Sequence, residues 1–126
     1  MKRARLILPV AIAAAFVAAA VPGAGIAEKP PPPPKKVTVN DDYYSPVALT
    51  VHKGARIKWV WANTNYDTHN VRLQQGPTGV KADDFRSPTG AIGLRFTRQL
   101  TKPGVYKFVC SLHSTVMKMT VTVQNH

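Results

Sequence analysis

The sequence has 126 residues, which suits one domain with a modest core. It contains 17 Lys and Arg against 6 Asp and Glu, for a formal net charge of +11 at pH 7, but the basic residues are scattered, which argues against a nucleic-acid-binding surface. Cys110 is the single cysteine, so an intramolecular disulfide is excluded.

The N-terminal segment has the pattern of a secretory signal peptide. A basic start precedes an uncharged stretch from Leu6 to Ala27, which ends in the small residues Gly25 and Ala27. We predict a signal peptide over residues 1–27 and export to the periplasm, the extracellular space or the cell surface. The alternative is an uncleaved anchor, because 22 uncharged residues can span a bilayer. Such an anchor is the one membrane contact that we expect.

A proline-rich linker follows the predicted cleavage site. Five consecutive prolines, Pro30 to Pro34, form an extended and semi-rigid segment that does not pack into a core. We therefore assign residues 28–36 to a linker and residues 37–126 to the folded domain. Cleavage would leave 14 Lys and Arg against 6 Asp and Glu, a net charge of +8 that favours a partner with an acidic docking surface.

Short β-type runs separated by turns fill the domain. The predicted strands are residues 37–39, 47–52, 56–62, 69–73, 94–100, 105–110 and 116–123. The third run alternates, with Ile57, Trp59 and Trp61 on one face. Residues 74–93 form a long connection with room for a short edge strand. These runs predict an all-β fold, an antiparallel β-sandwich of seven to eight strands.

The last two predicted strands bring together three side chains that bind soft metals. Alternation directs Tyr106, Phe108 and Cys110 toward the core, and a short loop with His113 leads to Met117. The missing fourth ligand would be a histidine from elsewhere, and His69 lies at the start of a predicted strand.

One thiolate, two imidazoles and a weak thioether form the type 1 copper set. Thiolate and thioether suit Cu(I) and imidazole suits Cu(II), so such a site holds both oxidation states with little rearrangement. Zinc is the chief competitor, but structural zinc sites favour two or more cysteines and avoid methionine. We predict one copper ion per chain.

From Val37 to Val123 the sequence resembles the cupredoxins, especially plastocyanin, amicyanin and pseudoazurin. The resemblance is carried by residues 46–54, by Trp61-Ala-Asn63 with His69-Asn70-Val71, by residues 102–110 and by Cys110-Ser-Leu-His113 with residues 117–123. It implies a Greek-key sandwich with His69, Cys110 and His113 as equatorial ligands and Met117 as the axial ligand.

The resemblance also implies roles for residues beside the ligands. Asn70 would donate its backbone amide to the Cys110 sulfur, and its side chain would bond near Ser111. The edge of His113 would be the electron exit, surrounded by Leu112 and Val116 as an apolar docking patch.

The ligand loop departs from the family pattern. Three residues separate His113 from Met117, one more than in amicyanins and one fewer than in plastocyanins. Leu112 replaces a common proline, and Met119 stands where glycine is common. Met119 is therefore the rival for the axial position.

Taken together, the residues and the resemblance predict a monomeric electron carrier that cycles between Cu(I) and Cu(II), serves a redox partner protein and catalyses no reaction. Copper delivery or resistance is the alternative, and a copper-free interaction domain is a third possibility that the full ligand set argues against. The chain is too short for a multicopper oxidase, which combines several such domains.

Overall fold

The computed structural model describes residues 11–16 and 27–126, so most of the predicted signal peptide lies outside the described residues. The chain forms two compact units, Met1–Pro30 and Pro31–His126. In the first unit, residues 11–16 and 27–30 have no regular secondary structure. No helix within residues 11–16 and 27–126 is long and apolar enough to cross a membrane.

The second unit is a β-sandwich. Its strands are β1 (Lys35–Asn40), β2 (Tyr43–Ser45), β3 (Ala48–His52), β4 (Arg56–Trp61), β5 (Arg72–Gln75), β6 (Arg95–Gln99), β7 (Gly104–Val109) and β8 (Lys118–Gln124), with a short 3₁₀ helix at Ala82–Phe85. One four-stranded sheet has the order β2-β1-β4-β6, and the other has the order β3-β8-β7-β5. This architecture confirms the predicted all-β sandwich.

The sheets are mixed, although the sequence pattern predicts antiparallel pairing throughout. β1 runs parallel to β4, with Val37 opposite Trp59, and β3 runs parallel to β8, with Leu49 opposite Val121. Between β1 and β4 the chain crosses to the other sheet to form β3, which permits the parallel pairing. Strand patterns reveal which face is buried but not which neighbour a strand pairs with.

The core lies between the two sheets and follows the predicted alternation. Ile57, Trp59 and Trp61 on β4 are buried, as are Tyr106 and Phe108 on β7. The Trp59 and Phe108 rings meet edge to face with centroids 5.0 Å apart. Full burial of each such side chain contributes about 1.5–3 kcal/mol of hydrophobic stabilisation. The two sheets are thereby held together beneath the loops that follow β4 and β7.

Some strand predictions are wrong in detail. β5 begins at Arg72, whereas His69 forms an isolated bridge with Gly90 through paired backbone hydrogen bonds of 2.9 and 3.1 Å. β2 was not predicted, because it has three residues and only Tyr44 is buried. The connection over residues 74–93 contains the 3₁₀ helix instead of an edge strand within a sheet.

Candidate metal centre

The loop between β7 and β8 presents Cys110 and His113 at one end of the sandwich. Its backbone is folded back on itself by hydrogen bonds from His113 N to Cys110 O at 3.1 Å and from Met117 N to His113 O at 2.9 Å. A further bond from Cys110 N to Met117 O, at 3.1 Å, closes the loop at its base. Cys110, His113 and Met117, which are close in sequence, therefore lie in one compact turn that its own backbone hydrogen bonds stabilise.

His69 reaches the same place from the connection between β4 and β5. The Trp61 indole at the end of β4 donates to the His69 carbonyl oxygen at 3.1 Å, and the bridge to Gly90 holds the backbone on the other side. The His69 side chain is completely buried. The connection between the two sheets and the loop between β7 and β8 therefore bring two imidazoles and one thiol together.

The distances among these groups suit a single metal ion. One candidate ligand atom from each of His69, Cys110 and His113 lies within 4.8 Å of the other two. Cys110 Sγ and His113 Nδ1 are 3.6 Å apart. With metal bonds of about 2.0–2.3 Å, as for zinc, two ligands at 120° lie roughly 3.8 Å apart, which agrees with that separation.

The polar atoms of His69 provide an independent test of whether a metal fits. His69 Nε2 lies 2.9 Å from the Asp41 carboxylate, whereas Nδ1 has no hydrogen-bond partner and is the one such buried side-chain nitrogen or oxygen within the described part of the chain. An Nε2–H that donates to Asp41 leaves a lone pair on Nδ1. An unpaired lone pair is costly in a protein interior, and a bound metal ion removes that cost.

Asp41 was not among the predicted site residues, although it fixes the ring of His69. Its carboxylate also accepts the amides of Tyr66 at 3.0 Å and Asp67 at 3.1 Å. The hydrogen bond from His69 and these backbone amides hold the pKa of Asp41 below its usual value. The sequence offers only an Asp-Asp pair in a turn, and the contact with His69 depends on how two distant loops meet.

The structure separates the two methionines. Met117 is completely buried and directly follows the candidate ligand loop. The sulfur of Met119 lies 3.3 Å from Trp59 Nε1 and accepts the indole hydrogen inside the core. The Met119 side chain is therefore occupied by a core contact, which leaves Met117 as the better candidate for the thioether ligand.

Asn70 links the His69 loop to the cysteine loop. Its Oδ1 accepts the amide of Ser111 at 2.9 Å, and its Nδ2 donates to Ser111 Oγ at 2.8 Å and to Thr89 Oγ1 at 3.1 Å. Tyr44 donates its hydroxyl to the Asn70 carbonyl at 2.6 Å, and burial, followed by the nearby Cys110, raises the pKa of Tyr44. Among the hydrogen bonds of the described residues, none joins the Asn70 amide to the Cys110 sulfur, in contrast to the expected contact.

The surface beside the centre is both apolar and acidic. The predicted patch residues Leu112 and Val116 are exposed, and His113 is partly exposed. His113 Nε2 lies 3.6 Å from Asp42 Oδ1 and 3.9 Å from Asp67 Oδ2. Neither aspartate was predicted, because each is an ordinary loop residue in sequence.

Comparisons with known proteins point to a copper-binding family. The family model of copper-binding proteins of the plastocyanin/azurin family matches residues 35–124. The plastocyanin of Ulva prolifera is 35% identical in an alignment of 86 residues that covers 64% of this chain and 86% of that protein.

Solved structures share the fold. A copper-containing nitrite reductase from Thermus scotoductus SA-01 aligns with a TM-score of 0.64 at 25% identity, over 79% of this chain and 24% of that chain. This chain therefore spans about a quarter of that protein. The reduced Cu(I) form of an amicyanin mutant aligns with a TM-score of 0.60 at 23% identity, over 80% of this chain and 88% of that chain.

Proposed function

The chain belongs to the plastocyanin/azurin family of copper-binding proteins, and we propose that it is an exported electron carrier with one copper ion cycling between Cu(I) and Cu(II). The proposal rests above all on the buried, unpaired Nδ1 of His69, which lies in one cluster with Cys110 and His113. A bound copper ion supplies a one-electron redox couple at this position.

Four side chains would hold the metal. We propose the Cys110 thiolate and the Nδ1 atoms of His69 and His113 as the three strong ligands and the Met117 sulfur as the weak axial one. The loop hydrogen bonds, the Asp41 contact with His69 and the Asn70 bridge to Ser111 restrain these ligands without the help of the metal. Such restraint favours electron transfer, because little has to move when the charge of the centre changes.

Burial of the centre argues for electron transfer without catalysis. His69, Cys110 and Met117 are completely buried, and with four protein ligands the metal would have no free position for a substrate. The similar nitrite reductase is about four times as long as the region that aligns with this chain, so the similarity gives no ground for assigning its activity to this chain. We therefore propose a carrier that serves a redox partner protein as a monomer and is not itself an enzyme.

Electrons would leave through His113, the one candidate ligand whose side chain reaches the surface. Leu112 and Val116 beside it would form the apolar contact with the partner. Export would follow from a signal peptide over residues 1–27, and residues 28–36 would act as a linker.

The test combines a spectrum with a metal-retention assay. Residues 28–126 loaded with Cu(II) should bind one copper per chain and show the intense blue thiolate-to-copper absorption, whereas folded protein that stays pale would refute the type 1 site. After reduction in the presence of a Cu(I) chelator, a carrier should keep its copper and return to blue on oxidation. Rapid stoichiometric loss of Cu(I) would instead favour copper delivery.

A further inference from the structure

The acidic residues of this basic chain are unevenly distributed. The sequence has 6 Asp and Glu against 17 Lys and Arg. Three of the six, Asp41, Asp42 and Asp67, lie at the metal centre, in contact with His69 or His113. The surface that surrounds the proposed electron exit is thus acidic, whereas the net charge of the chain is strongly positive.

Asp42 and Asp67 form a cluster with the partly exposed ring of His113, within 4.8 Å of one another. Their oxygens lie 3.6 and 3.9 Å from His113 Nε2, and their side chains are 59% and 66% exposed. No Lys or Arg of the described residues forms an ion pair with either carboxylate, although Asp83 elsewhere pairs with Arg86 at 3.3 Å. Two carboxylates therefore remain unneutralised in a chain with a large excess of cationic side chains.

The backbone that carries the two carboxylates is restrained. The Asp41 carboxylate accepts the amides of Tyr66 and Asp67, so the turn after β1 is tied to the loop that precedes His69. Asp42 has a positive φ of 66°, which fixes the turn in a tight left-handed conformation. A restrained backbone lowers the ordering entropy that is lost when a partner binds.

Apolar and aromatic surface adjoins the two carboxylates. Leu112 is 52% exposed, Val116 is 67% exposed and Tyr66, next to Asp67, is 96% exposed. An apolar centre beside charged groups is the composition of a protein-binding surface, and an exposed tyrosine ring can also stack against a cationic side chain. A basic contact face therefore fits this surface better than an acidic one.

We propose that this end of the domain docks a redox protein whose contact face carries Lys or Arg side chains, which pair with Asp42 and Asp67 while apolar groups cover Leu112 and Val116. The proposal rests on the proposed electron-carrier function and replaces the acidic partner expected from net charge. Net charge governs attraction at long range, whereas the groups beside His113 determine which surface is complementary at contact. Two cationic residues, Arg95 at the start of β6 and Lys118 at the start of β8, lie at the same end of the domain as His113. Neither forms an ion pair with Asp42 or Asp67.

Two one-electron oxidants of opposite charge test the local field. Tris(phenanthroline)cobalt(III), with charge 3+, and ferricyanide, with charge 3−, each take one electron from the Cu(I) form, and blue colour develops as Cu(II) appears. The double variant Asp42→Asn/Asp67→Asn should slow oxidation by the cobalt complex roughly tenfold at low ionic strength and accelerate oxidation by ferricyanide by a similar factor. A change in reduction potential would move both rates in the same direction, so opposite shifts identify a charge effect.

The matched control is Asp83→Asn/Asp84→Asn, which alters the net charge equally on the 3₁₀ helix. When all variants are compared at 0.1 M salt, it should change either rate less than about twofold and less than the Asp42/Asp67 variant does, because exposed charges beyond about 10 Å are then largely screened. Pentalysine should inhibit oxidation of the native protein by the cobalt complex and should have little effect on the Asp42/Asp67 variant.

Equal effects of the two double variants, or equal inhibition of both proteins by pentalysine, would overturn the docking proposal. Electron exchange with both oxidants would in that case still support the carrier function. A copper-loaded native protein that reacts with neither oxidant would refute the carrier function and the docking proposal with it.

Discussion

The contact between Trp59 and Met119 allows the two methionines to be separated by experiment. Met119→Leu removes the acceptor of a completely buried indole hydrogen, since the Met119 sulfur lies 3.3 Å from Trp59 Nε1. The near volume-conserving exchange alone costs less than about 1.5 kcal/mol, and a buried donor left without a partner costs about 1–3 kcal/mol. Because sulfur is a weak acceptor, we expect the lower part of that range and a total loss of about 2 kcal/mol.

The assay is urea unfolding of the copper-free protein, followed by tryptophan fluorescence. Copper is left out because a ligand that binds the folded state adds its own free energy to the measured stability. If the same variant is unfolded by heat, a loss of about 2 kcal/mol in the free energy of unfolding should lower the melting temperature of a domain of this size by roughly 8–16 °C. Trp59→Phe should weaken the effect of Met119→Leu, since the donor is then gone, and the double-mutant cycle measures that coupling.

Met117→Leu is the comparison variant and should behave in the opposite way. It should keep the blue colour and raise the reduction potential, because loss of a weak axial donor destabilises Cu(II) more than Cu(I). Met119→Leu should leave the potential near that of the native protein. If Met119→Leu instead shifts the potential without a loss of stability, the axial role belongs to Met119 and the argument from the Trp59 contact is wrong.

Three further results are expected. Cys110→Ser should abolish the blue absorption while circular dichroism still reports a folded sandwich, since no disulfide is lost; a variant that stays blue would exclude Cys110 as a ligand. Asp41→Asn should raise the reduction potential measured by voltammetry, because a neutral amide supports the charge of the oxidised centre less than a carboxylate does, whereas Asp83→Asn should not; an unchanged potential would limit Asp41 to a structural role. N-terminal sequencing of the exported protein should begin at Glu28, and an intact Met1 segment in the membrane fraction would favour the anchor.

Local sequence patterns were sufficient to predict the sandwich and the buried faces of β4 and β7. β4 alternates over six residues, and its buried residues are those that the pattern directs inward. Cys110, His113 and Met117 lie within eight consecutive residues, so their proximity needs only one turn. His69 could be joined to them through the resemblance to cupredoxins, since its own flanking sequence is that of an ordinary loop.

Contacts between distant segments could not be predicted in this way. The partners of β1 and β3 run parallel to them, which no alternation pattern encodes. Asp41 meets His69 across 28 residues, and Asp42 and Asp67 meet at His113 from two different loops. Aspartates are common in turns, and only the folded arrangement of the loops shows which of them lie beside His69 and His113.

Asp41 connects two properties of the centre that are otherwise separate. One of its oxygens lies against His69 Nε2, and the carboxylate as a whole accepts the amides of Tyr66 and Asp67. The Asp41 side chain therefore fixes both the orientation of the buried His69 ring and the position of the loop that carries Asp67 beside His113. Replacement of Asp42 and Asp67 should act on partner recognition and, through the lost negative charge near His113, raise the reduction potential, whereas replacement of Asp41 should in addition release the ring of His69. Comparison of the two sets of variants with oxidants of opposite charge distinguishes a change in the potential of the metal centre from a change in partner docking.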